Sequence, residues 1–294
     1  MEIKAYAKIN LGLDVTGRRP DGYHLINTVM QTIDLADTVK VIEVSPEEGI
    51  VIECGDPQVP ADGRNLAYKV AGLVMEAHGI DKGIRISIDK QIPVAAGLAG
   101  GSSDAAAVIL GMNEMFGLDM SLEDMDRIAL KIGADVPFCL RTGTWLAGGI
   151  GEELTQLDDA PDAYVLIVND GFEISAKEAY TALDGMKECA HPDIDRIIKA
   201  ISEGDLAALA GGLGNILEPA VEPLYPSVSD LKNKLLQTGA TGALMSGSGP
   251  TVFALYDNRE TVDEALKLLR KDPAHPRRRS LITRFVRPAE RSLI

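Results

Sequence analysis

Cysteine is scarce in this sequence, and the few residues present form no recognisable pairing pattern. The chain has 3 cysteines among 294 residues, at positions 54, 139 and 189. An odd number of widely separated cysteines without a C-x-x-C pair argues against a disulfide framework and a zinc site. We therefore expect reduced, mostly buried thiols, as is typical of cytoplasmic proteins.

Long apolar runs and an excess of positive charge are also absent. No stretch approaches the roughly 18 apolar residues that a membrane-spanning helix needs, and the first residues, MEIKAYAKIN, lack the apolar core of a signal peptide. Only 29 lysines and arginines stand against 44 aspartates and glutamates, which gives a net charge of −15. Because nucleic-acid binding needs a basic face, we expect no nucleic-acid partner, no membrane association and a cytoplasmic location.

The most prominent feature present in the sequence is one long glycine-rich segment. Residues 93–107 read PVAAGLAGGSSDAAA and lie between a predicted strand and a predicted helix. Glycine permits close backbone approach, and Ser102, Ser103 and Asp104 stand where the N-cap of that helix belongs. Free N–H groups and the positive end of the helix dipole favour an anion, usually phosphate. A turn built only for packing is the alternative.

The familiar phosphate-binding motifs do not fit this segment. No lysine follows Gly100 or Gly101, which excludes the G-x-x-x-x-G-K-[ST] loop, and the glycine spacing excludes G-x-G-x-x-G. The sequence therefore predicts a phosphate loop of another kind. Since alanine avoids positive φ, we expect negative φ at Ala95, Ala96 and Ala99.

A second glycine turn lies near the end of the chain, where residues 246–251 read SGSGPT. It is typical of a tight hairpin, although its backbone donors could also close over a phosphate. Along the first predicted strand, period-two geometry places Lys4, Tyr6, Lys8 and Asn10 on one face. Such a face is most often exposed to solvent, but a lysine beside an asparagine also suits a charged transition state.

Two further segments carry residues capable of chemistry. In residues 18–24, RRPDGYH, a Tyr-His pair either caps the edge of the core or offers a stacking platform for a flat base. In residues 133–138, GADVPF, we expect Pro137 to hold Val136 extended and Asp135 in a loop at a strand start. Asp135 is then either a turn former or a carboxylate that takes a proton from a hydroxyl attacking phosphorus.

The secondary-structure patterns predict a β-rich first part and a second part in which helices and strands alternate, with a boundary near residues 155–162. The predicted strands cover residues 3–15, 28–35, 38–44, 50–54, 84–88, 163–168, 243–245, 252–256 and 281–286. The predicted helices cover residues 65–77, 102–116, 121–132, 177–183, 194–201, 206–217, 228–236 and 262–270.

Five segments, in order along residues 5–256, together resemble the GHMP kinase superfamily. They are residues 7–10 (AKIN), 21–24 (DGYH), 93–106, 133–138 and 247–251 (GSGPT). The resemblance implies an α/β fold of the two-domain α+β GHMP kinase type. An N-terminal mixed β-sheet and helix domain, residues 1–157, would bind ATP, and a ferredoxin-like α/β domain would cover residues 158–294. The activity implied is that of a small-molecule kinase, a phosphotransferase with an alcohol group as acceptor.

Segments 21–24 and 133–138 point to a branch of the superfamily that phosphorylates a cytidylated small molecule. The resemblance then implies Asp135 as the catalytic base and Lys8 as the catalytic residue that stabilises transferred charge. The substrate-binding positions implied are Asn10, Tyr23, His24, Tyr180, Gly247 and Ser248, with Tyr23 and Tyr180 clamping the cytosine. The ATP-binding positions implied are Asn65, near the adenine, and Pro93, Val94, Ala95, Ala96, Gly97, Leu98, Ala99, Gly100, Gly101, Ser102 and Ser103.

Other implications concern the cofactor, the assembly and the alternatives. Mg²⁺ is expected with ATP, although the sequence identifies no residue as a metal ligand, and the protein is expected to be a monomer or a homodimer. Ala176 replaces a threonine that is frequent in relatives. The alternatives are another GHMP kinase of the mevalonate or homoserine type, or an inactive relative that serves as a binding module. The presence of both Lys8 and Asp135 argues against an inactive relative.

Overall fold

Two long antiparallel strands form the centre of the first sheet. The protein is described by a computed structural model that covers residues 1–271 and 275–288. Strand β1 (Glu2–Arg18) pairs with β2 (His24–Val44), and the ladder has irregularities after Tyr6, Asn10 and Val15. Each irregularity interrupts the regular alternation of faces. Side chains from both sides of the middle of β1 are therefore buried.

The first sheet has seven strands and mixes parallel and antiparallel pairs. Its main path runs β3-β4-β2-β1-β8, and β5 pairs with both β2 and β6. Strands β3 and β4 pair in parallel, while β2 is antiparallel to β1, β4 and β5. The further strands of this sheet in the first half of the chain are β3 (Ile50–Cys54), β4 (Gly83–Asp89), β5 (Thr144–Gly148) and β6 (Glu153–Gln156).

Helices of the first half cover one face of this sheet. The described helices are α1 (Leu66–His78), α2 (Gly100–Phe116), α3 (Leu122–Leu130) and α4 (Val136–Cys139). Small residues let α2 approach the sheet closely: a Cβ added at Gly111 would lie 2.7 Å from Ile3 Cδ1. The chain thereby buries the apolar face of α2 against β1 and β2.

The second half builds a four-stranded antiparallel sheet of order β11-β7-β10-β9. Its strands and the short β8 are β7 (Tyr164–Asn169), β8 (Gly214–Asn215), β9 (Gly242–Met245), β10 (Val252–Tyr256) and β11 (Arg279–Arg284). Its helices are α5 (Ala176–Asp184), α6 (Ile194–Ser202), α7 (Leu206–Gly212), α8 (Glu218–Val221), α9 (Pro226–Gln237) and α10 (Arg259–Arg270).

The two halves share a core. Strand β8 joins the first sheet by pairing in parallel with β1, and a Cβ added at Gly12 would lie 2.4 Å from Ile197 Cδ1 on α6. One cluster of buried side chains contains residues of both sheets, for example Ile9 and Phe253. The predicted division at residues 157 and 158 falls between β6 and β7, and it stays a prediction because the halves are packed together.

Several predicted elements differ from those observed. The strands predicted over 28–35 and 38–44 form the single strand β2, and the helix predicted over 206–217 ends at Gly212 and gives way to β8. Strands β5 and β6 were not predicted. None of the three cysteines, all of which are among the described residues, forms a disulfide, but only Cys139 is buried. Within residues 1–271 and 275–288, no helix combines the length and the apolar character needed to cross a membrane.

Candidate active site

Lys8 and Asp135 face each other in a cleft between the two halves. Lys8 Nζ lies 3.8 Å from Asp135 Oδ2, and Lys8 is only 5% exposed while the Asp135 side chain is 39% exposed. Lys8 is fixed on β1, where its N–H donates to Leu98 O at 3.1 Å. A buried cation therefore lies next to a carboxylate that solvent and a substrate can reach.

Asp135 reaches this position from a helix rather than from a strand start. It precedes α4, has φ −79° and ψ −16°, and its carbonyl accepts from Cys139 N at 3.1 Å. The predicted extended conformation at Val136 is wrong. Proline lacks an N–H and has a φ suited to the first helical turn, so Pro137 starts a short helix here instead of preventing one.

A chain of hydrogen bonds holds the Lys8 ammonium. Lys8 Nζ donates to Asn10 Oδ1 at 2.8 Å, and Asn10 Nδ2 donates to Thr28 Oγ1 at 2.9 Å. The Thr28 hydroxyl in turn donates to Gly12 O at 2.6 Å. Lys8 and Asn10 are buried, so this part of the polar face of β1 is not the solvent-exposed face that such a pattern usually indicates.

The glycine-rich segment forms a loop that leads into α2, but its geometry differs from the prediction in two respects. Ala95 and Ala99 have φ of 51° and 58°, so the expectation of negative φ is wrong at both positions. The N-cap of α2 is Ala99, and Ser103 lies inside the first turn, where its hydroxyl donates to Tyr6 O at 2.6 Å. The serines therefore do not cap the helix.

The two glycine segments touch each other. A Cβ added at Gly97, where φ is +73°, would lie 2.2 Å from Ser246 O, and the Ser246 hydroxyl donates to Gly97 O at 3.0 Å. A Cβ at Gly247 would lie 3.5 Å from Lys8 Nζ. Asn215 holds this second turn by donating to Gly247 O at 2.8 Å. The turn at 246–251 is therefore a wall of the cleft as well as a connection between β9 and β10.

Aromatic side chains form the far side of the cleft. The rings of His24 and Tyr180 stack with centroids 4.6 Å apart, and His24 Nε2 lies 2.8 Å from Asp184 Oδ1. Burial, and then the negative charge of Asp135, raise the pKa of Tyr180 to about 12. Tyr23 is 60% exposed beside them. The Tyr23 side chain is therefore accessible to a ligand, whereas the Tyr180 ring is stacked on His24.

One cleft of about 800 Å³ joins these parts, and it is large enough for a nucleotide-sized ligand. The predicted site residues in its wall are Lys8, Asn10, Tyr23, His24, Gly97, Ala99, Ser102, Asp135, Tyr180, Gly247 and Ser248. The cationic side chains in its wall are Lys8, Arg18 and Lys177, and Arg18 lies 3.2 Å from Asp184 Oδ2. A phosphorylated ligand in this cleft would therefore meet the Lys8 ammonium beside the Asp135 carboxylate.

A smaller cavity of about 160 Å³ lies on the other side of the loop, and its walls include the predicted residues Asn65, Pro93, Val94, Ala95, Gly100 and Gly101. The Asn65 side chain caps α1 by accepting from Ala67 N at 2.8 Å and donates to Pro60 O at 2.8 Å. Three further predicted residues, Ala96, Leu98 and Ser103, are at most 3% exposed and line neither cavity. Their predicted contacts with ATP stay predictions.

A buried ionic cluster supports the loop from below. Lys90 Nζ contacts Asp37 and lies 2.9 Å from Asp104 Oδ2, and none of the three side chains is more than 6% exposed. Burial, opposed in part by the Lys90 charge, raises the pKa of Asp104 to about 7. Asp104 Oδ1 makes no hydrogen bond in the part of the chain that the structure describes. This cluster anchors the first turn of α2 to β2.

Several of these residues are missing from the sequence predictions. Asp184 follows Tyr180 by four residues on α5, and that spacing places two side chains on one helix face, so it could have been found. Thr28 and Asn215 carry no such signal because their contacts join segments far apart in the chain. The same applies to the pairing of Asp37 with Lys90, which joins β2 to the loop after β4.

Known proteins resemble this chain over most of its length. Residues 65–143 match the GHMP kinases N terminal domain, and residues 197–274 match the family GHMP kinases C terminal. A 4-diphosphocytidyl-2-C-methyl-D-erythritol kinase from Lachnospira eligens is 44% identical over 271 residues, which cover 92% of this chain and 94% of that protein. A kinase of the same name from Clostridium botulinum strain Alaska E43 is 46% identical over 258 residues, covering 88% and 91%.

The fold agrees with this similarity. A crystal structure of 4-(cytidine 5'-diphospho)-2C-methyl-D-erythritol kinase superposes on this chain with a TM-score of 0.79 at 34% identity. The superposition covers 97% of this chain and 100% of that one. The predicted α/β fold with N- and C-terminal GHMP kinase parts is therefore confirmed.

Proposed function

Because this chain belongs to the GHMP kinases, and within them to the 4-diphosphocytidyl-2-C-methyl-D-erythritol kinase family, we propose that it phosphorylates the 2-hydroxyl group of that cytidylated polyol. The γ-phosphoryl group of ATP is transferred, and the products are the 2-phosphate and ADP. The reaction is a step of the non-mevalonate route to isoprenoid precursors. Relatives at 44% and 46% identity support this acceptor over mevalonate and homoserine.

The observation that carries the proposal is the pair Lys8 and Asp135 in a cleft that also holds both glycine segments and the aromatic cluster. An enzyme that transfers a phosphoryl group between two bound molecules mainly has to position them and stabilise charge. The cleft provides a cation, a base, backbone donors and stacking surfaces within one volume. An inactive binding module would need neither the cation nor the base.

Asp135 acts as the base in this reaction. Its carboxylate accepts the proton of the acceptor's 2-hydroxyl group while the hydroxyl oxygen forms a bond to the γ-phosphorus and the bond to the β,γ-bridging oxygen breaks. That bridging oxygen leaves as part of ADP. The Lys8 ammonium, 3.8 Å from the base, stabilises the negative charge on the phosphoryl group as it passes between the two oxygens.

ATP is held by the glycine-rich loop. Free N–H groups at the start of α2 favour the phosphates, and the cavity next to Asn65 would take the adenine. The nucleotide would enter as its magnesium complex, and among the described residues no group of three or more His, Cys, Asp or Glu side chains is placed to hold a metal ion. Magnesium bound to a nucleotide takes most of its ligands from phosphate and water, and the Ser102 hydroxyl in the cleft wall would add an oxygen ligand.

The cytidine part of the acceptor is held by the aromatic cluster. Tyr23, which is 60% exposed, would close over the cytosine from the solvent side, and Tyr180, which lines the same cleft, would contact the other face of the base. His24 lies between them in the chain and is already fixed by Asp184. The stacked rings of Tyr180 and His24 are therefore positioned before the acceptor binds, which lowers the cost of ordering them on binding.

The test is ADP release with each of three acceptors. We expect turnover with the cytidylated methylerythritol and none above background with mevalonate or homoserine. The variant Asp135→Asn, prepared in parallel, controls for contaminating kinases. Turnover with mevalonate or homoserine alone would move the assignment to another GHMP kinase, and no turnover with any acceptor would support an inactive relative. Monomer or homodimer, and a cytoplasmic location, stay predictions.

A further inference from the structure

Thr28 lies at the inner end of the hydrogen-bond chain that begins at Lys8. It is on β2 and fully buried, with 0% exposure. Its hydroxyl oxygen is 2.6 Å from Gly12 O and 2.9 Å from Asn10 Nδ2. Nothing in the reaction requires Thr28 to touch a substrate, because Lys8 and Asn10 lie between it and the cleft.

The carbonyl group of Gly12 determines the donor-to-acceptor direction of each hydrogen bond in the series that ends at Lys8. A carbonyl oxygen can only accept a hydrogen bond, so the single hydroxyl hydrogen of Thr28 must point toward it. The Thr28 oxygen is then an acceptor for Asn10, which must present its NH₂ group on that side. The amide oxygen of Asn10 consequently faces Lys8 Nζ at 2.8 Å.

The opposite orientation of the Asn10 amide would leave the Lys8 ammonium with a weaker set of hydrogen-bond acceptors. An NH₂ group facing the Lys8 ammonium would bring two donors together and leave the buried cation with weaker partners, since its other oxygen neighbours are Gly97 O at 3.4 Å and Asp135 Oδ2 at 3.8 Å. An unpaired buried charge is costly, and the ammonium would move toward whichever acceptor it could reach. Its distance to the transferred phosphoryl group would change with it.

We propose that Thr28 is a positioning residue of this kinase, which fixes the amide of Asn10 and through it the Lys8 ammonium beside Asp135. The proposal rests on the role of Lys8 in the proposed function. A threonine hydroxyl can be buried in this strand without any hydrogen bonds like those of Thr28. Thr32, on the same strand and 1% exposed, has a hydroxyl group without a hydrogen-bond partner in the described residues.

The experiment measures kcat, and KM for ATP, in four proteins: the wild type, Thr28→Val, Thr28→Ser and Thr32→Val. We expect Thr28→Val to lower kcat about tenfold, the effect of one hydrogen bond that orients a charged group, with KM for ATP unchanged. Thr28→Ser, which keeps the hydroxyl, should restore the wild-type kcat. Thr32→Val, the matched control opposite Lys8 in the strand ladder, should leave kcat unchanged.

A double-mutant comparison separates positioning from general packing. If Thr28 acts through Asn10, then Thr28→Val should lower kcat no further in an Asn10→Ala background. An equal further loss in that background, an unchanged kcat in Thr28→Val, or an equal loss in Thr32→Val would each overturn the proposal. If Thr28→Val does not fold, Thr28→Ala, which adds no methyl group against Asn10, is measured with the same expectations.

The proposed function and this inference fail in different ways. If Lys8→Met keeps the wild-type kcat, the proposed role of Lys8 is wrong and the inference falls with it. If Lys8→Met lowers kcat while Thr28→Val does not, only the inference is wrong.

Discussion

Asp104→Asn tests the buried cluster beneath the glycine-rich loop, because it removes one charge and keeps the shape of the side chain. Lys90 lies between two carboxylates, Asp37 and Asp104, and all three side chains are at most 6% exposed. Two anions and one cation leave a buried excess of negative charge. Asp104 Oδ1 has no hydrogen-bond partner among the described residues, so Asp104 is the carboxylate at which a proton is best accommodated.

The sign of the effect follows from the direction of the pKa change. Burial raises the pKa of Asp104 from 3.8 to about 7, so the folded protein holds this proton more tightly than the unfolded chain. Below about pH 4 Asp104 is protonated in both the folded and the unfolded state, and it does not reduce the free energy of unfolding. As the pH rises toward 7 the folded state loses relative stability, and the full difference between 3.8 and about 7 corresponds to about 4 kcal/mol.

Asparagine stays neutral at every pH and can still accept from Lys90 through its amide oxygen. The free energy of unfolding of the Asp104→Asn variant should therefore lack this pH dependence. We expect Asp104→Asn to be more stable than the wild type, and to be so by about 3 kcal/mol more at about pH 8 than at about pH 5.

Urea denaturation followed by circular dichroism at the two pH values gives these free energies of unfolding. Asp81→Asn, which makes the same chemical change at an exposed position, is the matched control and should show no comparable difference. If Asp104→Asn is less stable than the wild type at about pH 8, or if its advantage does not grow with pH, then Asp104 is not the carboxylate whose burial opposes folding.

Four further variants test the site and the loop. Asp135→Asn should lower kcat about 100-fold or more, as for a lost general base, with an unchanged circular dichroism spectrum, and near-wild-type turnover would exclude that role. Lys8→Met should lower kcat by a similar factor without changing ATP affinity in an equilibrium titration; a loss of affinity alone would make Lys8 a binding residue. Tyr23→Ala should weaken binding of the cytidylated acceptor by about 1–3 kcal/mol, and an unchanged affinity would remove Tyr23 from the clamp. Gly97→Ala places a Cβ 2.2 Å from Ser246 O at φ +73°, and should lower the free energy of unfolding by about 1–3 kcal/mol, whereas Gly55→Ala, whose Cβ meets nothing within 4 Å, should not.

Much of the fold could be read from local patterns. Strand β3 was predicted with its observed bounds, and most helices were predicted to within a few residues, because apolar periodicity and caps such as Ser121 and Asn65 act over short distances. Strand β2 was predicted as two strands that leave out Ala36 and Asp37, and aspartate is depleted in strands. In the folded protein Asp37 accepts from two backbone N–H groups, of Gln91 and Ile92, and the strand continues through it.

In the glycine-rich loop, the observed backbone conformation differs from the one that the residues favour by themselves. Alanine alone favours negative φ by a small margin, yet Ala95 and Ala99 adopt φ of 51° and 58°. The loop must leave β4, pass against the turn at 246–251 and enter α2, and these packed contacts outweigh the local preference. Pro137 is a different case, because proline itself suits the first turn of a helix and the observed helical turn agrees with that local preference.

The sequence by itself determined the kind of chemistry. A glycine-rich segment before a helix, a lysine beside an asparagine, a carboxylate in GADVPF and a Tyr-His turn are recognisable in the sequence without knowledge of the fold. The tertiary structure alone decided which of them meet. Lys8 and Asp135 are 127 residues apart in the chain and 3.8 Å apart in space, and the amide of Asn10 is oriented by Thr28 and Gly12 across two strands. Such contacts depend on strand register and on the packing of the two halves, and no short stretch of sequence contains that information.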